Sequence, residues 1–164
     1  MESYYSAVDA AQITGITRRQ LDYWVELGMI EPAITAPRGK AGSVKLFDFD
    51  GLFKLSILGV LIKSGFSIQA LRRLTEDDYD DQEKAVPEKR PILQSSRSLV
   101  KLDLDSIIEK YKKNEFDNLK VLTEHGFLAF SLLSLEEELR ENIATVANVK
   151  AFHSEVAKQK NKKH

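Results

Sequence analysis

A glycine break between two short, individually capped helical segments constrains this 164-residue chain more than any other feature. Ser6 is placed to cap a first helix in which Ala7, Ala10 and Ala11 share one face, and side chains this small let a neighbouring helix approach closely. Thr14-Gly15-Ile16 interrupts that pattern. Thr17 then starts a second helix, and Gln20, three residues on, completes the pairing in which each side chain satisfies an orphan backbone N–H of the other. Leu21, Trp24, Val25 and Leu27 supply its apolar positions, Arg18, Arg19, Asp22, Tyr23 and Glu26 are left outward, and Gly28 suits a left-handed exit.

Two short helices joined by a glycine-containing turn make a helix-turn-helix arrangement, whose second helix can enter the major groove of duplex DNA. Beyond it, the runs 30–35 and 44–47 have strand character and enclose Ala36-Pro37-Arg38-Gly39-Lys40-Ala41-Gly42-Ser43, the turn-rich tip of a two-stranded wing. Asp48 or Asp50 is suited to cap a third helix reaching about Lys63. With Leu52, Phe53, Leu55, Ile57, Leu58, Val60, Leu61 and Ile62 it is apolar nearly all round and should form the core of the module. Ser67 caps a fourth helix, Ile68 to Leu74, with Arg72 and Arg73 outward.

Charge divides the chain where the helical pattern stops. Residues 75–86 hold six acidic side chains and one lysine, and prolines follow at Pro87 and Pro91. So polar a stretch predicts an acidic flexible linker over 75–90. It separates an N-terminal domain, 1–74, from a C-terminal domain, 91–164. The latter is expected to be a small α+β lobe with strand character over 92–102 and 121–133 and a helix over 104–116. From Leu135, the residues Leu139, Ile143, Val146, Val149, Phe152 and Val156 recur at helical spacing along five to six turns. That stripe suits either a dimer helix or one packed within the chain. Lys158 to His164 reads as a frayed basic tail. The expected fold is thus mainly α with small β.

Composition narrows function by exclusion. Cysteine is absent, which removes disulfides, thiolate metal sites and thiol switching, and the three histidines lack metal-ligand spacing, so neither metal nor cofactor is expected. Neither Asp103 and Asp105 nor Glu136 to Glu138 combine with a nucleophile and an orienting base, so the chain is not expected to be an enzyme. The apolar run 52–62 is too short and too interrupted to span a membrane, and the start of the chain has no secretory pattern, so a cytoplasmic, nucleoid-associated location is expected.

Read in order, Ala11-Gln12-Ile13-Thr14-Gly15-Ile16-Thr17-Arg18-Arg19-Gln20-Leu21-Asp22-Tyr23-Trp24 and Gly28-Met29-Ile30-Glu31-Pro32 resemble the start of the DNA-binding domain of the MerR family of bacterial transcription regulators. Gly42-Ser43-Val44-Lys45-Leu46-Phe47-Asp48-Phe49-Asp50-Gly51-Leu52 resembles its wing and third helix, and Gly65-Phe66-Ser67-Ile68 through Leu71-Arg72 its fourth. The likeness covers residues 4–74. It implies a winged helix-turn-helix that binds double-stranded DNA as a homodimer, with RNA polymerase as a further partner. Carried over position by position, Thr17, Arg18 and Arg19 would meet base edges, Tyr23 would contact phosphate through its hydroxyl, and Arg38, Lys40, Lys45 and Arg72 would serve the DNA backbone. Asp22 departs from the arginine that many members carry there; it could accept from cytosine N4, orient Arg18 or Arg19, or face away, and the orienting role is the one expected. Lack of cysteine sets the chain apart from members with a cysteine-based sensor. Two other functions fit the same residues: an architectural, chromosome-organising protein with little sequence preference, and a protein-binding adaptor that uses the helix-turn-helix as a scaffold.

Overall fold

The computed structural model describes residues 3–37, 43–75, 92–95, 98–100, 103–115, 117–123 and 126–161. The fold is mostly helical with small antiparallel sheets, as the sequence predicts. The expected tip bases Arg38 and Lys40, the linker from residue 76 to 90 and the last three residues lie outside the described residues.

The local stop and start signals act where they were read. Helix α1 (Ala7–Thr14) is capped by Ser6, whose side chain accepts from the Asp9 N–H, and ends at Gly15 with φ 67°. That left-handed backbone favours glycine, and it turns the chain into α2 (Arg18–Glu26). Thr17 and Gln20 complete the reciprocal cap, and Gly28, at φ 70°, lets the chain leave the helix. Asp48, rather than Asp50, caps α3 (Phe49–Lys63), its carboxylate accepting from the Gly51 N–H at 2.8 Å. Ser67 caps α4 (Ile68–Thr75) through the Ala70 N–H at 3.1 Å.

A three-stranded antiparallel sheet lies beside these helices in the order β1, β3, β2, formed by Tyr5–Ser6, Ser43–Phe47 and Ile34–Pro37 respectively. The two longer strands are the expected hairpin, in register Ile34 to Leu46 and Pro37 to Ser43. Their first strand begins later than the 30–35 run suggested, because Ile30 is buried in the core and Pro32 has no N–H to give to a ladder. The two-residue β1, paired through Tyr5 with Phe47, was not foreseen.

The C-terminal part contains β4 (Ile92–Ser95), β5 (Ser98–Val100), α5 (Leu104–Lys112), β6 (Asn118–Thr123), β7 (Gly126–Ser131) and α6 (Leu132–Asn161). Its strands form an antiparallel sheet in the order β5, β4, β6, β7. Helix α6 has 30 residues, about eight turns rather than five to six. It continues through Lys158 to Asn161, where the apolar stripe has ended and only the good helix-forming character of the polar residues remains.

Helix α3 explains why the two parts meet. Being apolar on all sides, it must be covered on all sides. Leu52, Leu55, Ile57, Leu58 and Leu61 are fully buried, and α1, β3, α5 and α6 all pack against the helix. The buried Ser56 hydroxyl donates to the Leu52 carbonyl at 3.0 Å, so it brings no unsatisfied polar group into this core. Phe53 meets Tyr111 of α5 edge-on at 5.5 Å, and Arg140 of α6 lies over the Phe49 ring at 4.6 Å. One apolar cluster therefore runs from Ala7 to Val146.

Polar contacts fasten the same seam. Asn142 Nδ2 donates to the Ile13 carbonyl at 3.0 Å, Lys150 pairs with Asp9 at 2.6 Å, Lys112 pairs with Asp50 at 2.5 Å, and Lys54 bonds Asp105. Burial pushes the Asp9 carboxyl up, but its bonds to Lys150 and Ser6 outweigh that and hold it below the ordinary range. Burial likewise raises Glu136, and the Tyr111 hydroxyl, which donates to it at 2.6 Å, together with Arg140 brings it below the ordinary value. Tyr111 itself is pushed up to about 12, first by burial and then by the carboxylate that accepts its proton. In the first half of the terminal stripe, Leu135, Leu139 and Val146 pack within the chain, whereas Val149 and Phe152 are exposed.

Candidate nucleic-acid interface

The face of α2 that Leu21 and Trp24 do not bury is open. Thr17, Arg18, Arg19, Gln20, Asp22, Tyr23 and Glu26 line one shallow surface depression on it. Its first turn holds two arginines and no acid. A helix N-terminus carries a partial positive charge, so cations there cost about 0.3–1 kcal/mol rather than stabilising the helix. The Thr17 and Gln20 cap holds that turn together despite the repulsion. The result is a concentrated positive end, favourable for an anion and unfavourable for isolated folding.

Each predicted residue among the described ones has a defined place. Thr17 is committed to structure: its hydroxyl donates to Gln20 Oε1 at 2.9 Å and accepts from the Gln20 N–H at 3.2 Å, leaving only acceptor capacity. Arg18 is about half exposed, and its Nε donates to Asp22 Oδ2 at 2.8 Å, one turn on. The other Asp22 oxygen is 4.0 Å from Lys45 Nζ on β3, so the carboxylate stands between the helix and the hairpin. Arg19 points outward, and Tyr23 is 44% exposed although aromatic rings are usually covered. Arg72 is exposed on α4, outside this depression. The structure thus brings Thr17, Arg18, Arg19, Asp22, Tyr23 and Lys45 into one region.

Lys63 is a residue that sequence reasoning missed. Its ammonium comes within 3.7 Å of where a Cβ on Gly15 would stand, at the turn that leads into α2. Lying at the last position of a core helix, it carries no local signal, because the contact joins segments distant in sequence. Among the described residues, no group of three or more histidine or carboxylate side chains is placed to hold a metal ion, and no helix is long and apolar enough to cross a membrane.

Comparison with known proteins agrees with this geometry. Residues 5–78 match the model of a family described as MerR HTH family regulatory protein. Uncharacterised HTH-type transcriptional regulators from Mycobacterium bovis and from two strains of Mycobacterium tuberculosis are 38% identical to this chain over 68 residues, which is 42% of this chain and 30% of each relative. The chain therefore spans less than a third of the length of these curated relatives. The family match falls on the helix-turn-helix, the hairpin and the two helices that follow. Over residues 5–78, the chain is similar to the MerR family of helix-turn-helix regulatory proteins.

Proposed function

We propose that this chain is a sequence-specific, duplex-DNA-binding transcription regulator of MerR type. It inserts α2 into the major groove, sets the β2–β3 hairpin on the flanking backbone as a wing, and works as a homodimer on a two-fold related site. The observation that carries this reading is the exposed, arginine-bearing first turn of α2, held by a reciprocal cap beside Lys45 of the hairpin. Repulsion at a helix N-terminus is a local cost that folding alone gives no reason to keep, and phosphate or guanine would remove it. Arg18 and Arg19 read bases, Tyr23 contacts phosphate, and Arg38, Lys40, Lys45 and Arg72 neutralise backbone charge.

Labour divides along the chain. Residues 1–74 contact DNA, 75–90 serve as a tether, and 91–164 buttress the module and join the second copy. Exposed Val149 and Phe152, beyond the self-packed half of α6, are the contribution of that helix to the dimer. Duplex DNA and RNA polymerase are the partners in this reading, and the site of action is the nucleoid.

Selection from random duplex DNA at near-physiological salt, with wild type and Arg18→Ala in parallel, tests the proposal. A palindromic sequence enriched by wild type and weakened by the substitution is the expected result. Salt-sensitive binding that enriches nothing would replace it with an architectural role. Absence of any salt-dependent affinity would leave the helix-turn-helix as a protein scaffold.

A further inference from the structure

Asp22 is an anomaly on a surface meant for DNA. A carboxylate among phosphates is repelled, and an exposed ion pair one helical turn apart does little for stability, so folding alone gives Asp22 slight reason to be there. It is also past the first turn of α2, where an acid would help the helix by opposing its dipole. Its geometry is specific nonetheless. Oδ2 accepts a hydrogen bond from the Arg18 Nε–H, at 2.8 Å, rather than from the terminal nitrogens, while Oδ1 faces Lys45 Nζ at 4.0 Å.

That choice of nitrogen matters chemically. An arginine reads guanine with two parallel N–H donors directed at O6 and N7, and those donors belong to the fork of the guanidinium. Bonding through Nε occupies one side of the planar group and leaves Nη1 and Nη2 unclaimed by Asp22. It also restricts a long side chain that would otherwise sample many rotamers before and during binding. Lys45, 4.0 Å from the other carboxylate oxygen, puts a hairpin cation beside the same anchor, so the carboxylate lies between both elements that would straddle the DNA.

We infer that Asp22 determines base specificity by holding Arg18 through Nε and presenting its terminal nitrogens to a guanine. Asp22 is a positioning residue here and touches no base itself. This inference rests on the proposed placement of α2 in the major groove.

The test is selection from random duplex DNA with the full chain as wild type, Arg18→Ala, Asp22→Ala and the double variant, after circular dichroism has matched their helix content. Asp22→Ala should lose roughly tenfold of its guanine preference at one base pair, the same one at which Arg18→Ala loses it, while other positions keep theirs. Its affinity for unrelated DNA should rise, since a negative charge has gone from the contact face. The double variant should show the same preference at that base pair as Arg18→Ala alone, because Asp22 acts through Arg18. Unchanged guanine preference in Asp22→Ala would overturn the inference. So would a loss at a different base pair, or a further loss in the double variant; either would mean that the carboxylate reads cytosine directly. Wild-type protein without salt-dependent duplex affinity would defeat the major-groove reading itself, a result distinct from the others.

Discussion

The N-terminal module has two faces that the rest of the chain treats in opposite ways. On one, α1 and α3 are covered by α5 and α6 through buried leucines, the Asn142 bond to the Ile13 carbonyl and the Lys150 pair with Asp9. On the other, α2 presents Arg18, Arg19, Asp22 and Tyr23 with no element of the described chain set over the depression they line. Both faces belong to capped helices, so helix formation does not distinguish them. Burial does. Where the chain supplies its own cover, the surface is apolar and its polar atoms are paired. Where it does not, the surface is charged and keeps a repulsive first turn, as a surface awaiting a polyanion should.

If that contrast is right, damage to the covered face should cost folding most. Leu139 on α6 is 2% exposed and packs in the shared cluster, so Leu139→Ala should destabilise the protein by about 2–5 kcal/mol. Chemical denaturation followed by Trp24 fluorescence checks this, since the tryptophan reports from α2. A loss seen in far-ultraviolet helix signal without any change at Trp24 would show that α6 and the module unfold separately.

A smaller effect is expected on the open face. Thr17→Ala removes the cap that restrains the arginine-bearing turn and should cost about 0.5–2 kcal/mol in the same denaturation assay. Stability equal to wild type would mean that the reciprocal cap is not what holds α2 against its own charges.

The least effect concerns acid. Asp9 and Glu136 both titrate below their ordinary values of 3.8 and 4.5 in the folded chain. Their stabilisation is therefore complete above those values and is lost as pH falls through the lower, folded ones. Melting temperatures should hold level in the weakly acidic range and decline below about pH 4.5. Lys150 is largely exposed, so Lys150→Ala should cost no more than about 1 kcal/mol near neutrality. It should also flatten the part of the acid decline due to Asp9, because burial without its partner no longer leaves that carboxyl depressed. An acid decline as steep as that of wild type would remove Lys150 from the account.

What could be read from sequence follows the range of the interaction involved. Caps at Ser6, Thr17, Asp48 and Ser67 and the turn at Gly15 depend on neighbours within three or four residues, so the letters nearly suffice. Two residues of β1 are too few to show alternation, and their pairing with Phe47 and Leu46 is long-range. The α6 stripe announced a buried face without naming what buries it; only assembly around α3 shows that Leu135 and Leu139 are used within the chain. At the candidate interface, the arginines and Tyr23 were legible from their places on the helix. The engagement of the Thr17 hydroxyl by Gln20, the reach of Lys45 to Asp22 and the position of Lys63 over the turn were not, since each needs atomic placement.

Backbone amide chemical shifts, followed by NMR while a selected duplex is added to the full chain, test the central claim most directly. The account predicts the largest changes at Thr17 to Tyr23 and around Lys45, with Ile13, Asn142 and Lys150 on the covered face nearly unmoved. Changes concentrated along α1 and α6, with α2 undisturbed, would contradict it.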